Sequence, residues 1–143
     1  MRFFFCEEYC IIETMDNPPL ILLIDDDPDF IEIFKTKLES AGCAVQTAKD
    51  GAEGIEKTKK LHPKLVLMDV QMPKMSGIDA MIKIKEDSQN ANIPVLFLTA
   101  LGDPRAEIQE INRRLSKELG ALGYIKKTDD LDSVVTYIKN FLQ

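Results

Sequence analysis

Acidic side chains stand where apolar runs end. The run LILLI (20–24) leads into Asp25, Asp26 and Asp27, and LVLM leads into Asp69. Two further runs, IPVLFLT (93–99) and GYIK (123–126), end in Thr99 and in the pair Lys126 and Lys127. Carboxylates gathered at one place repel each other and stay ionised only beside a cation, and hard oxygen ligands with room for water suit Mg²⁺. A lysine and a hydroxyl add donors for the oxygens of an anion. A divalent ion, an ammonium and a hydroxyl around one carboxylate make a site suited to phosphoryl transfer onto that carboxylate. Asp69 is the candidate acceptor, because it ends an apolar run ahead of a Met-Pro turn, where solvation alone would not require a charge.

These residues can meet only if the runs are strands of one sheet. Short apolar runs alternate with amphipathic stretches from Leu20 onward, the pattern of βα units in a parallel sheet covered on both faces. The predicted strands are 20–24, 43–48, 65–69, 93–99 and 123–126. In such a sheet ligands bind beyond the carboxyl ends of the strands, and the first and third strands, as neighbours in the middle, bring Asp25, Asp26 and Asp69 together. Alternation along the last strand points Lys126 away from Lys127 and leaves Lys127 for the site.

The intervening helices carry their own start and stop signals. Asp27 caps the first, with Pro28 at its first position, Phe30, Phe34, Leu38 and Ala41 along one face, and Gly42 as its stop. Asp50 with Glu53 opens the second close to a capping box, and His62-Pro63 ends it. Ser76-Gly77 starts the third, with Ile78, Met81 and Ile82 expected inward. Asp103-Pro104 opens a long fourth, with Ile108, Ile111, Leu115 and Leu119 at helical spacing. In the last, Thr128 is the expected cap and Leu131, Val134, Val135, Ile138 and Leu142 form the stripe.

Composition narrows the function classes. The chain has 143 residues, 45% hydrophobic and 29% charged, enough for one domain with a real core. A net charge of −6 without a basic stripe argues against direct nucleic-acid contact. Cys6, Cys10 and Cys43 are too sparse for a disulfide framework, so free thiols and a cytoplasmic setting are expected. The start, MRFFFCEEYCIIETM, is interrupted by Glu7, Glu8 and Glu13 and falls short of a signal peptide or a membrane span. Residues 1–18 read as an extension and linker, and 19–143 as the domain. Lone His62 reads as a surface residue, and Cys6 with Cys10 lack the partners of a zinc site.

The segments LLIDDDPDF, LVLMDVQMPKMSGID, VLFLTA and GYIKK, in that order, resemble the receiver domain of two-component response regulators, over residues 20 to about 142. The resemblance implies a flavodoxin-like doubly wound sheet of five parallel strands in the order 2-1-3-4-5. It implies Asp69 as phosphoacceptor, and Mg²⁺, with Mn²⁺ or Ca²⁺ as substitutes, held by Asp26, Asp69 and the backbone carbonyl of Gln71, with Asp25 in support. Thr99 and Ala100 would meet the phosphoryl group together with Lys127, and Tyr124 would be the aromatic that changes rotamer. Pro73 and Gly77 match the loop after the acceptor. The implied partners are a sensor histidine kinase or histidine phosphotransfer protein and a downstream protein effector, met through the fourth helix, fifth strand and last helix. The domain is expected to be a monomer or weak dimer, away from membranes, and not an enzyme with a separate substrate.

Two features depart from the family pattern: Thr128 stands where a proline commonly follows the lysine, and the segment from Thr99 to Tyr124 is several residues longer than expected. Two other readings use the same residues. A haloacid-dehalogenase-like phosphatase would take Asp25 as nucleophile with Asp27, although Asp29 is not the Thr or Val its first motif prefers and Asp69 would go unexplained. A pseudo-receiver would bind partners without phosphorylation, although such a protein would be expected to have lost part of the acidic cluster.

Overall fold

The computed structural model of the chain describes residues 17–99 and 121–142. The strands are β1 (Leu20–Ile24), β2 (Ala44–Ala48), β3 (Leu65–Asp69), β4 (Val95–Thr99) and β5 (Ala121–Lys126). The described helices are α1 (Pro28–Ser40), α2 (Gly51–Leu61), α3 (Gly77–Glu86) and α4 (Leu131–Leu142). All strand pairs are parallel, in the order β2-β1-β3-β4-β5. This is the doubly wound architecture expected from the sequence.

Strict alternation along the strands divides the core in two. Ile21, Leu23, Leu65, Leu67, Leu96 and Leu98 face one side, where Phe34 and Leu38 of α1 and Val134, Val135 and Ile138 of α4 cover them. Leu22, Ile24, Val66, Met68, Val95 and Phe97 face the other, under Ala80, Met81 and Ile84 of α3 and Ile55 of α2. Burial on both faces is why these runs are continuously apolar rather than alternating. At about 25 cal/mol per Å² of apolar surface, each fully buried Leu or Ile contributes roughly 1.5–3 kcal/mol, which makes the sheet a rigid base for its edge.

Helix ends and faces follow the local signals with two exceptions. Asp27 accepts from the amides of Asp29 and Phe30, Asp50 from that of Glu53, and Ser76 from that of Asp79. Glu53 reaches back to the Lys49 amide at 2.9 Å, one residue beyond the Asp50 amide that a capping box would use. Gly42 at φ 98° and His62 at φ 48° turn the chain out of α1 and α2, and His62 is exposed. Before α4 the cap is Asp130 rather than Thr128: its Oδ2 accepts from the Ser133 amide at 3.1 Å and from the Ser133 hydroxyl at 2.9 Å. On α3, Ile82 is exposed and Ile84 takes the inward place, because Ala80, Met81 and Ile84 set the buried stripe.

Three strands differ in length from the expectation. Cys43 stays outside β2 because its amide closes the end of α1 on the Leu38 carbonyl. Ile93 and Pro94 stay outside β4, the Ile93 amide being spent on the Asn90 carbonyl and Pro94 having none. β5 begins at Ala121 rather than Gly123: Val95 pairs with Ala121 and Leu96 with Gly123, a bulge with Gly123 at φ +142°. The expected fourth helix, Ala100, Cys6, Cys10 and the extension up to residue 16 lie outside the described residues.

Candidate functional site

The backbone ladder runs past the strand ends at the carboxyl edge. The Asp25 amide donates to Ala48 O at 3.0 Å, that of Val70 to Leu98 O at 3.0 Å, and that of Lys127 to Thr99 O at 2.8 Å. Each of these rungs holds a residue at or beside the acidic cluster, so its side chains spring from fixed backbone rather than from free loops.

Asp25 is fully buried and Asp69 is 3% exposed, whereas Asp26 is open to solvent. One carboxylate oxygen from each lies within 4.8 Å of the others. Lys127, its side chain 12% exposed, sets its ammonium 2.6 Å from Asp25 Oδ2 and 3.5 Å from Asp69 Oδ2. The other oxygen of Asp25 accepts from the Asp27 amide at 3.0 Å, and Asp69 Oδ1 from the Gln71 amide at 3.2 Å. Burial, then the negative charge of Asp25, pushes the Asp69 carboxyl up to about 7 against the pull of Lys127 and the Gln71 amide. One ammonium thus leaves the three acids under-compensated, and an all-oxygen cluster with one solvent-facing member suits a hard divalent cation that keeps some of its water.

The loop after Asp69 is built around close approach. The Gly77 amide donates to Val70 O at 2.9 Å, and a Cβ on Gly77 would stand 2.1 Å from the Asp69 carbonyl oxygen. Pro73 O accepts from the Met75 amide at 2.7 Å around Lys74, which is held at φ 72°. Thr99 is buried at the end of β4. Tyr124, partly buried, pairs with Phe97 and packs on the α2/α3 side of the core.

The structure therefore brings together Asp25, Asp26, Asp69 and Lys127, with Thr99 one ladder rung from Lys127. Lys126 stays outside, its amide donating to Asp129 Oδ2 at 3.3 Å. Asp27 also stays outside the cluster, its carboxylate serving α1 as a cap. Phe30, which the sequence places on the core face of α1, also reaches the site. Its ring lies 4.8 Å from the Lys127 ammonium, yet its i, i+4 spacing to Phe34 marks nothing beyond a core stripe.

With this geometry in place, comparison with known proteins is decisive. The sequence pattern of the response regulator receiver domain matches residues 21–139. The chain belongs to this family. It is 35% identical over 125 residues, 87% of its length, to the DNA-binding dual master transcriptional regulator RpaA of a Synechocystis species. It is 34% identical over 130 residues to the hybrid signal transduction histidine kinase D of Dictyostelium discoideum, 91% of this chain and 8% of the kinase. The chain spans about half the length of RpaA, 49%. Among solved structures, chemotaxis protein CheY4 of Vibrio cholerae superposes with a TM-score of 0.76 at 26% identity, over 87% of this chain and 98% of that one. Receiver domains are signalling modules of two-component systems rather than enzymes in general. No helix among the described residues is long and apolar enough to cross a membrane.

Proposed function

We propose that the domain is a phosphorylation switch in which a carboxylate oxygen of Asp69 attacks the phosphorus of a histidine kinase's or phosphotransfer protein's phosphohistidine, or of a small acyl phosphate. The P–N or P–O bond of the donor breaks as the new P–O bond forms, and the donor's imidazole or carboxylate leaves. The observation that carries this reading is Asp69 itself: it is buried at a strand end, in contact with one ammonium and crowded by two further carboxylates.

The residues present fit a divalent cation. Asp26 and Asp69, with the Gln71 carbonyl, would hold Mg²⁺, with Mn²⁺ or Ca²⁺ as substitutes, and Asp25 would support them. When bound, the ion would neutralise charge building up on the transferred oxygens. Lys127 sits between Asp25 and Asp69, ready to pair with an added phosphoryl oxygen. Thr99 and Ala100 would meet the same group. Hydrolysis by an in-line water returns the Asp69 carboxylate and inorganic phosphate. Inward movement of Thr99 would admit Tyr124, so that the surface of the segment before β5, β5 and α4 passes the signal to a protein effector.

We place this switch in the cytoplasm, working as a monomer or weak dimer. The DNA binding named for RpaA is not carried over to this chain, whose sequence has a net charge of −6 and no basic stripe. The test is labelling with radiolabelled acetyl phosphate and Mg²⁺. Asp69→Asn is expected to abolish the label and Asp25→Asn to leave residual labelling. Loss only in Asp25→Asn would favour the dehalogenase-like reading, and equal labelling of all three chains would end the acceptor reading.

A further inference from the structure

We propose that Phe30 is a positioning residue for Lys127, its ring holding the ammonium between Asp25 and Asp69; this rests on the acceptor reading above. The lysine needs such a guide. Its backbone is pinned by the rung to Thr99 O and by the following turn, in which the Asp129 amide donates to Lys126 O at 3.0 Å. Beyond Cα, however, the stem has four rotatable carbons, and the next residue is exposed Thr128 rather than a ring-locked proline.

Phe30 lies in the first turn of α1, directly after the cap that fixes that turn on Asp27. It is partly buried against the α1/α4 core, and its ring meets that of fully buried Phe34 at 5.4 Å between centroids and 57° between planes. The ring is thereby anchored to the core while one face looks at the ammonium, 4.8 Å away. An aromatic face within about 6 Å attracts a cation through its quadrupole, most strongly where water is excluded. A carboxylate in that place would add a fourth negative charge to a cluster that already repels itself. An aliphatic side chain would fill the space without attracting the charge. An aromatic ring draws the ammonium without capturing it in a salt bridge, and so leaves its N–H donors to Asp25, Asp69 and whatever Asp69 comes to carry.

The experiment compares Phe30→Leu and Phe30→Tyr with wild type in the full chain, with Phe30→Met replacing Phe30→Leu should the latter not fold. Two quantities are read: the ring-current shift of the Lys127 ε-methylene protons by NMR, and the labelling rate with acetyl phosphate and Mg²⁺. Phe30→Leu is expected to lose the upfield shift and to label roughly threefold to tenfold more slowly. Phe30→Tyr, which keeps the ring, is expected to retain both. Wild-type labelling by Phe30→Leu would overturn the inference. So would equal slowing of the two variants, the mark of a packing effect. A wild-type chain that takes no label overturns the acceptor reading instead, while the ε-methylene shift still decides whether the ring holds the lysine.

Discussion

Two lysines approach the sheet from opposite edges and meet different partners. At the amino edge, Lys85 at the end of α3 is half-buried and donates to Ala91 O at 3.0 Å and to Ile93 O. Burial lowers its pKa, and its acceptors are neutral carbonyls of the turn leading into β4. At the carboxyl edge, Lys127 faces two carboxylates and an aromatic ring. Neutral acceptors pin a turn and ask nothing more of the cation. Anionic acceptors that outnumber their cation leave a site that gains by taking on a further positive charge or by altering its own. The contrast separates a lysine that holds a turn from one placed among the groups of the proposed phosphoryl transfer.

The largest expected effect separates the two lysines by rate. Lys127→Met should slow labelling by acetyl phosphate on the order of tenfold or more, the worth of a charge-assisted hydrogen bond, while Lys85→Met should leave the rate within about twofold. Similar slowing by both would erase the distinction. A smaller effect concerns stability. The Asp69 carboxyl lies above its ordinary value of 3.8, at about 7, so the folded chain binds that proton more tightly than the unfolded one. Wild type without metal should therefore lose stability as pH rises from about 4 to about 7. Asp69→Asn, which cannot ionise, should resist unfolding more than wild type at pH 8 and show no advantage near pH 4. Chemical denaturation across that range in chelator checks this, and a pH-independent difference would contradict it. Smallest is the cost of Lys85→Met, about 1 kcal/mol by urea denaturation. An unchanged midpoint would mean that the carbonyls of Ala91 and Ile93 are satisfied without the lysine.

The strands that position Asp69 were legible because both faces of the sheet are covered. β1 and β3 begin and end where their apolar runs do, and Asp25, Asp26, Asp69 and Lys127 meet as the topology requires. What the apolar pattern does not carry is settled by competition for single backbone groups. The Cys43 amide is taken by α1, that of Ile93 by a turn, and the start of α4 by Asp130 rather than Thr128. Apolar spacing does not record such choices. Phe30 is a different case: its period marks it as core, and only three-dimensional contact adds the ammonium. Ile82 is exposed where its spacing predicts it inward, because a helix of ten residues admits two overlapping apolar stripes and packing against the sheet selects one.

The bulge in β5 gives the chain slack in its own length. Between Ala121 and Gly123 one residue is spent without a partner, and from Leu96 onward the pairing is regular up to Thr99 and Lys126. A strand without such a joint would turn each inserted or deleted residue into a half-period error, swapping the sides of Tyr124 and Ile125 and exchanging Lys126 for Lys127. Here the surplus is absorbed at the far end of the strand. A residue gained or lost at this joint thus leaves the phase of everything beyond Gly123 where the site needs it.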